Sequence, residues 1–395
     1  MHVALLNTLY PPVMRGGAER SVETLASLLR DSGVRVSIIT CGVETIARQV
    51  DVHHLPMPHR NPWSAELRPM GKVIWHARDI TNPVQAKRVA ALLRTLRPDI
   101  VHTHNLAGIG VGAWREARSL RIPVVHTLRD YYLMCLRSTL YSKGAVCHNR
   151  CLSCSTVSRP RQVYADAEVG TVIGISEHIL NRHVDCGYFG RVSRRLVIRN
   201  PNVSAPSSGA MASTNEAVAT RNQAVVYVGQ LTPEKGVHVL AQAFLDAGNP
   251  KGRLYIAGQG PPEYQRRLDE IVRGDNRVRF LGRMPWQEAM ALGEIVAVPS
   301  LWEEPFGRVV AEASSMGRYV LFSDIGGLPE AAMVSEAAGE AVMAGSVHAW
   351  SCALNRAMRG ERKPAVKTNA AVLSSEETVL QEHLKAYREL MRRGT

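Results

Sequence analysis

Two carboxylates eight residues apart, Glu304 and Glu312, are the side chains of this sequence best placed to do chemistry. They lie in the segment PSLWEEPFGRVVAEA, where an apolar strand leads into a loop and then into a helix predicted to begin at about Gly307. A helix N-terminus offers unsatisfied N–H groups and a partial positive charge, which suits a nucleotide diphosphate. Glu304 could then meet sugar hydroxyls near the phosphate, and Glu312, about a turn and a half inside the helix, could accept both ribose hydroxyls.

A second group of reactive side chains is a cysteine cluster with the spacing C-x11-C-x3-C-x2-C, within a predicted insertion over residues 131–160. Four thiols in so short a stretch of a cytoplasmic chain favour metal over disulfides, and four cysteines suit a tetrahedral structural zinc. His148 could replace one thiol. An iron–sulfur cluster, and thiols that stay reduced or form an occasional disulfide, remain alternatives. The cluster comprises Cys135, Cys147, Cys151 and Cys154.

The elements that must position these residues alternate between strand and helix in both halves of the chain. Apolar runs predict strands over residues 2–8, 34–40, 98–104, 122–128, 169–176 and 195–201, then over 224–229, 253–258, 277–282, 295–300 and 318–324. Helical spacing between them predicts two parallel, doubly wound sheets, with ligands at the carboxyl ends of the strands.

The predicted organisation is therefore α/β, with two Rossmann-like domains that meet at a ligand-binding cleft. The first domain covers residues 1–202, and the second covers residues 224–370. A Ser/Ala/Thr-rich stretch, 203–223, is the predicted linker. Residues 371–395 are a charged amphipathic helix that could return to the first domain.

The net charge of +13 is unevenly distributed. Residues 1–200 contain 27 Lys and Arg against 14 Asp and Glu, whereas the rest of the chain is balanced. This asymmetry suggests an anionic partner for the N-terminal half, such as an acidic membrane surface or a phosphorylated acceptor, although a general arginine bias explains it equally simply. No nucleic-acid recognition motif accompanies the charge, so no nucleic-acid partner is predicted. No apolar run is long enough to span a bilayer and the N-terminus resembles a strand, so we expect a cytoplasmic protein, possibly at the inner face of the membrane.

Several motifs together resemble the retaining glycosyltransferases of family 4, which have the GT-B fold. The Glu-x7-Glu pair in EEPFGRVVAEA resembles the signature of that family. In the second half, VGQLTPEKG, IAGQGP and FLGRM resemble its first three strand–helix loops. In the first half, RGGAE resembles its glycine-rich loop, and VHTHN and VHTLRDY resemble its histidine-bearing strand ends. The resemblance covers nearly the whole chain.

The resemblance implies a role for each matching position on the donor side. Lys235 would neutralise charge on the leaving diphosphate, helped in this family by an Arg after Gly229, where this chain has Gln230; Arg308 could compensate. Backbone N–H groups of Phe306 and Gly307 would bind phosphate, and the main chain around Arg283 and Met284 would frame the base. The predicted donor set is Gly16, Gly17, Gly229, Gln230, Lys235, Gly258, Arg283, Met284, Glu304, Pro305, Phe306, Gly307, Arg308 and Glu312.

On the other side of the reaction, His126 would lie at a strand end and touch the donor sugar, which makes it the third predicted catalytic residue beside Glu304 and Lys235. His102 and His104 are expected on opposite faces of their strand, so that at most one, His104, reaches the acceptor together with Asp130.

The implied activity moves a sugar from a nucleotide-diphosphate donor, of UDP or GDP type, to a glycan or lipid-linked acceptor, as in bacterial surface polysaccharide or lipopolysaccharide synthesis. No catalytic metal is expected, because no DxD-type motif ends a strand. A non-catalytic GT-B scaffold and a sugar-nucleotide epimerase remain alternative functions. The cysteine spacing also matches the cluster motif of radical SAM enzymes, but not its position in the fold.

Overall fold

The computed structural model describes residues 1–14, 16–42, 51–56, 69–201, 222–365 and 375–393. Residues 203–221 of the predicted linker, and 366–374 around the predicted end of the second domain, lie outside the described residues. The chain forms two compact units. The first comprises Met1–Leu140, Cys147–Pro201 and Ser375–Thr395, and the second comprises Tyr141–Val146 and Asn202–Ser374.

The first unit contains a parallel sheet of seven strands in the order β3-β2-β1-β4-β5-β8-β9. Its central strands β1, β4 and β5 are buried along their whole length because helices cover both faces of the sheet. The strands are β1 (His2–Asn7), β2 (Arg35–Cys41), β3 (Val52–Leu55), β4 (Ile100–Thr103), β5 (Val124–Leu128), β8 (Thr171–Gly174) and β9 (Arg194–Val197). The helices are α1 (Gly17–Asp31), α2 (Pro69–Asp79), α3 (Pro83–Leu96), α4 (Gly112–Ser119), α5 (Leu152–Glu168) and α6 (Glu177–Asp185). A short antiparallel hairpin, β6 (Tyr141–Ser142) with β7 (Ala145–Val146), lies within the cysteine-bearing insertion.

The last helix of the chain, α13 (Glu376–Arg393), completes the core of this first unit. Its apolar residues Val379, Leu384 and Tyr387 are buried together with residues of α1 and of the central strands. The Tyr387 hydroxyl group also forms a hydrogen bond of 2.7 Å with His102 Nδ1 on β4. The amphipathic pattern of the helix therefore reflects packing onto the sheet.

The second unit contains a parallel sheet of six strands in the order β12-β11-β10-β13-β14-β15. The strands are β10 (Ala224–Val228), β11 (Arg253–Ala257), β12 (Val278–Gly282), β13 (Ile295–Val298), β14 (Tyr319–Ser323) and β15 (Gly339–Val342). The helices are α7 (Val237–Asp246), α8 (Pro262–Val272), α9 (Trp286–Ala291), α10 (Arg308–Ser315), α11 (Leu328–Val334) and α12 (Val347–Met358). The strand order reverses between β10 and β13, and such a switch point is where open α/β sheets bind ligands.

The predicted fold class is confirmed, since both sheets are parallel and covered by helices. Every predicted strand is present, with ends shifted by up to four residues. Strands β3 and β15, at sheet edges, were not predicted because their sequences, VHHL and GEAV, are not apolar runs. Among the described residues, no helix combines the length and the apolar character needed to cross a membrane.

Candidate functional site

Two loops at the switch point of the second sheet are in direct backbone contact. The loop after β10 contains the 3-10 turn Pro233–Lys235, and the loop after β13 runs from Pro299 to Gly307. The amide of Leu301 donates to the carbonyl of Glu234 at 2.8 Å. Gly236 has a φ of +69°, and a Cβ there would lie 1.9 Å from the carbonyl oxygen of Pro299. Only glycine allows this approach, which brings the two loops together.

The contact between the loops pairs two of the predicted catalytic residues. Lys235 Nζ lies 2.8 Å from Glu304 Oε1, and the Ser300 hydroxyl donates to the same oxygen. The Trp302 ring lies 5.2 Å from the ammonium group, within cation–π range. Burial alone would raise the pKa of Glu304, but Lys235, the Ser300 hydroxyl and the nearby Trp302 side chain hold it below its usual value. Glu304 is therefore an anion held in a fixed orientation.

The N-terminus of α10 adjoins this pair. Its N-cap is Gly307, with a φ of +123°, which has no side chain to satisfy the first amides of the helix. Pro305 and Phe306, just before it, are buried. Glu312 is 4% exposed, and its Oε1 accepts a hydrogen bond of 2.8 Å from Arg308 Nε. The arginine predicted to assist the leaving group is thus paired with the carboxylate predicted to bind ribose.

The remaining predicted donor residues line the carboxyl ends of β10, β11 and β12. The amide of Gly229 donates to the carbonyl of Ala257 at 3.0 Å, and that of Gly258 donates to Gly282 at 2.7 Å. A Cβ on Gly258 would lie 1.8 Å from the carbonyl oxygen of Gly229, so this position also requires glycine. The side chain of Gln230 is exposed, and its backbone carbonyl accepts a 2.6 Å hydrogen bond from the Tyr227 hydroxyl.

Beyond β12, the two residues predicted to frame the base differ in exposure. Arg283 is exposed. Met284 is half-buried and packs against Val226, Ala257 and Ala289.

The first unit contains the other predicted residues. Gly16 is the N-cap of α1 and Gly17 is its first residue, and the Glu19 carboxylate accepts from the Gly16 amide at 3.0 Å. Asp130 follows β5, and its carboxylate accepts from Asn105 Nδ2 at 2.6 Å and from the Tyr132 amide at 2.8 Å. Burial raises the pKa of Asp130 to about 6. Asp130 thus joins the loops that follow β4 and β5.

Two predictions about histidines were wrong. His126 is the third of five residues in β5 and not at its end; it is 3% exposed, contacts Thr103 Oγ1 at 2.9 Å, and burial lowers its pKa to about 3. His102 and His104 do not point to opposite faces, because alternate strand residues share a face. Their ring centroids are 4.2 Å apart. His104 Nδ1 accepts from Arg129 Nε at 3.2 Å and the ring is buried.

The four clustered cysteines are all free thiols. A shared hydrogen bond lowers the pKa of Cys135 to about 6 and raises that of Cys154. Cys151 is exposed and Cys147 half-buried. Within the described residues, no three His, Cys, Asp or Glu side chains are arranged to hold a metal ion, so the predicted zinc has no structural support.

Comparison with known proteins identifies the family. Residues 15–187 match the model "Glycosyltransferase Family 4", and residues 222–359 match "Glycosyl transferases group 1". The chain is 31% identical over 339 residues to an uncharacterised 42.6 kDa protein in the cps region of Klebsiella pneumoniae, covering 84% of this chain and 87% of that protein. The chain belongs to the family 4 glycosyltransferases of the GT-B fold.

More distant relatives of this glycosyltransferase are consistent with this assignment of family and fold. It is 28% identical over 365 residues to the glycogen synthase of Mycobacterium tuberculosis, covering 84% of this chain and 80% of that enzyme. In structure it is similar to HepE of Anabaena in complex with UDP, with a TM-score of 0.72, 20% identity, and coverage of 98% and 100% of the two chains. This last likeness concerns the fold alone.

Four residues of the glycosyltransferase that contribute to the donor loops were not predicted from the sequence. Ser300 and Trp302 orient Glu304, Tyr227 holds the carbonyl of Gln230, and Gly236 allows the two loops to meet. The signal that could have revealed Ser300 and Trp302 is their position four and two residues before Glu304, in the same loop.

Proposed function

We propose that this enzyme transfers a sugar from a nucleotide-diphosphate donor, of UDP type, with retention of anomeric configuration. The observation that carries the proposal is the Lys235–Glu304 pair, 2.8 Å long, beside the N-terminus of α10 at the switch point of the second sheet. The diphosphate would lie against Lys235 and the amides of Phe306 and Gly307, with Glu312 accepting the ribose hydroxyls. The complexes of HepE with UDP and with UDP-glucose support this choice of donor.

In the proposed reaction the protein supplies position and charge. The bond between C1 of the sugar and the phosphate oxygen breaks, and the acceptor oxygen bonds to C1 on the same face. The acceptor proton passes to the departing phosphate oxygen. Lys235 and the helix amides would stabilise the charge that develops there, without a divalent cation.

The proposed acceptor is a glycan or lipid-linked precursor of a bacterial surface polysaccharide. The supporting relative is the Klebsiella pneumoniae protein in the cps region. The class of the acceptor would be tested by supplying UDP-glucose together with either the lipid-extracted or the aqueous fraction of cells and following the release of UDP. If neither fraction causes UDP to be released, the proposed acceptor is contradicted.

We also propose that the first unit contacts an anionic membrane surface from the cytoplasm. Helix α2 exposes 62% of Val73 and 48% of Ile74, with Lys72 and Arg78 exposed on the same helix. Basic residues near an anionic leaflet each contribute about 1 kcal/mol. Sedimentation with phosphatidylglycerol vesicles, but not with phosphatidylcholine vesicles, is the expected result, and equal sedimentation with both would refute the contact.

The donor site is tested by thermal unfolding with UDP, GDP, ADP and their sugar conjugates, in the presence and absence of EDTA. A ligand at a hundredfold excess over its Kd stabilises the folded state by about 2.7 kcal/mol. We expect UDP and its conjugates to raise Tm, and EDTA to leave that increase unchanged. If none of the nucleotides raises Tm, the proposed site is excluded. A product with inverted anomeric configuration would exclude retention.

A further inference from the structure

Two consecutive glycines contact the loop that carries Glu304. Neither the sequence motifs nor the proposed mechanism uses them. Gly326 and Gly327 lie between β14 and α11, in the turn Asp324–Gly327. The turn is fixed from its other side, since the Asp324 amide donates to the Val342 carbonyl at 3.0 Å and the Asp324 carboxylate accepts from the Ala344 amide at 2.8 Å. A rigid turn therefore faces the Glu304 loop.

The contact between turn and loop is backbone against backbone. A Cβ on Gly326 would lie 2.5 Å from the amide nitrogen of Glu304. A Cβ on Gly327 would lie 2.7 Å from the carbonyl oxygen of Pro305 and 2.8 Å from Cα of Phe306. The Gly327 amide donates to the Glu304 carbonyl at 2.7 Å. No flexible side chain is present at these contacts to yield to an added methyl group.

The next residue extends the same contact to the helix N-terminus. Leu328 is fully buried, and its Cδ2 would lie 2.7 Å from a Cβ on Gly307, the N-cap of α10. Every backbone unit from Glu304 to Gly307 thus has a neighbour in the segment from Gly326 to Leu328. The position of the loop is therefore set by this segment as well as by Lys235 and Ser300.

We propose that Gly326 and Gly327 are positioning residues for the nucleotide diphosphate, which fix the distance between the Glu304 loop and the N-terminus of α10. The inference rests on the proposed donor site. A methyl group at either glycine displaces the backbone from Glu304 to Phe306, because neither the fixed turn nor the buried Leu328 can retreat. Shifts of this size at groups that bind a ligand reduce affinity and turnover without unfolding the protein.

The chain contains a matched control. Gly326 and Gly317 have nearly the same φ, +66° and +67°, but a Cβ on Gly317 would meet nothing within 4 Å. Gly326→Ala and Gly317→Ala therefore carry the same conformational strain, and only the first changes the contact with the Glu304 loop. Gly327→Ala, at a φ of −84°, changes the contact without strain.

The test measures UDP and GDP affinity by calorimetry, and Tm by thermal unfolding, for the wild type and the three variants. We expect Gly326→Ala and Gly327→Ala to weaken binding of the nucleotide at least tenfold relative to Gly317→Ala, while each variant remains folded, with a Tm above the temperature of the titration. Equal affinity in all three variants, with the wild type binding, would overturn the positioning role alone. A wild type that binds neither nucleotide would instead overturn the donor site on which it rests.

A second pair of variants covers the case in which the glycine variants fail to fold. Leu328→Val shortens the side chain behind Gly307, and Leu321→Val makes the same change at an equally buried position within β14. A loss of nucleotide affinity in Leu328→Val that exceeds the loss in Leu321→Val at least threefold supports the positioning role. Equal affinities in this pair contradict it.

Discussion

At the scale of single residues, the two carboxylates proposed to bind the donor share one property: each has a cation against it. Glu304 pairs with Lys235 and Glu312 pairs with Arg308, both at 2.8 Å. An ammonium group has three N–H donors, so the Glu304 bond leaves Lys235 able to bind a phosphate oxygen as well. If Glu312 accepts ribose hydroxyls as proposed, its carboxylate would share or release Arg308.

We predict that Glu312→Gln weakens UDP binding at least tenfold while changing Tm little. The amide keeps the shape of the side chain, but it cannot accept two hydroxyl hydrogen bonds as strongly as a carboxylate does. The matched control is Glu294→Gln, which breaks another carboxylate–arginine pair of the same unit, 2.6 Å from Arg318. Calorimetric titration of both variants with UDP is the measurement, and equal affinities would contradict the ribose assignment.

How much of the site could be read from the sequence is clearest at this scale. The Glu304 and Lys235 positions follow from local motifs, and the structure places them in contact. The placement of the histidines was not predicted correctly, because a strand motif shows neither how deeply a histidine is buried nor where in the strand it lies. The neighbours Ser300, Trp302 and Tyr227 act through specific geometry that spacing alone does not define.

At the scale of elements, helix α13 is joined to the first sheet by a buried polar link as well as by apolar packing. Tyr387 contacts His102 Nδ1 at 2.7 Å, and His102 Nε2 contacts Thr127 Oγ1 at 2.7 Å. The chain of hydrogen bonds runs from the helix through β4 to β5. The amphipathic pattern of the helix predicted that it could return to the first domain. The sequence did not show that Tyr387 would contact His102, which is 285 residues away.

We predict that Tyr387→Phe lowers the free energy of unfolding by about 1–3 kcal/mol, because it leaves the buried Nδ1 of His102 without its partner. Urea unfolding followed by circular dichroism measures the change. Tyr164→Phe is the control, since Tyr164 contacts Arg115 through its ring and that contact is kept. If both variants lose the same stability, the hydrogen bond to His102 contributes nothing of its own.

At the scale of the whole molecule, buried neutral histidines make stability depend on pH. Burial lowers the pKa of His183 and His383 to about 4 and that of His126 to about 3. In the unfolded chain these groups titrate near 6.5, so between pH 6.5 and 4 the unfolded state binds protons that the folded state does not. Stability contributed by these groups is therefore present above pH 6.5 and lost as pH falls toward 4. Buried Asp79, whose pKa burial raises to about 7, contributes in the opposite direction.

A single substitution separates these opposing contributions. We predict that His383→Gln reduces the stability lost between pH 7 and pH 5 by about 2 kcal/mol relative to the wild type. Comparing the two proteins cancels the carboxylates, which both contain. Urea unfolding at pH 7, 6 and 5 is the measurement, and parallel pH profiles would show that His383 is not held neutral by burial.

The first unit is assembled from segments at both ends of the chain, since Ser375–Thr395 belongs with Met1–Leu140 and Cys147–Pro201. This has a consequence for synthesis. When residues 1–365 have been synthesised, the chain contains every described strand of both sheets. The face of the first sheet that Val379, Leu384 and Tyr387 cover in the folded protein is still exposed at that point. The second unit can fold during translation, whereas the unit translated first is the last to be completed. Nascent chains therefore present an apolar surface until the final helix emerges, and chaperones have their longest opportunity to bind there.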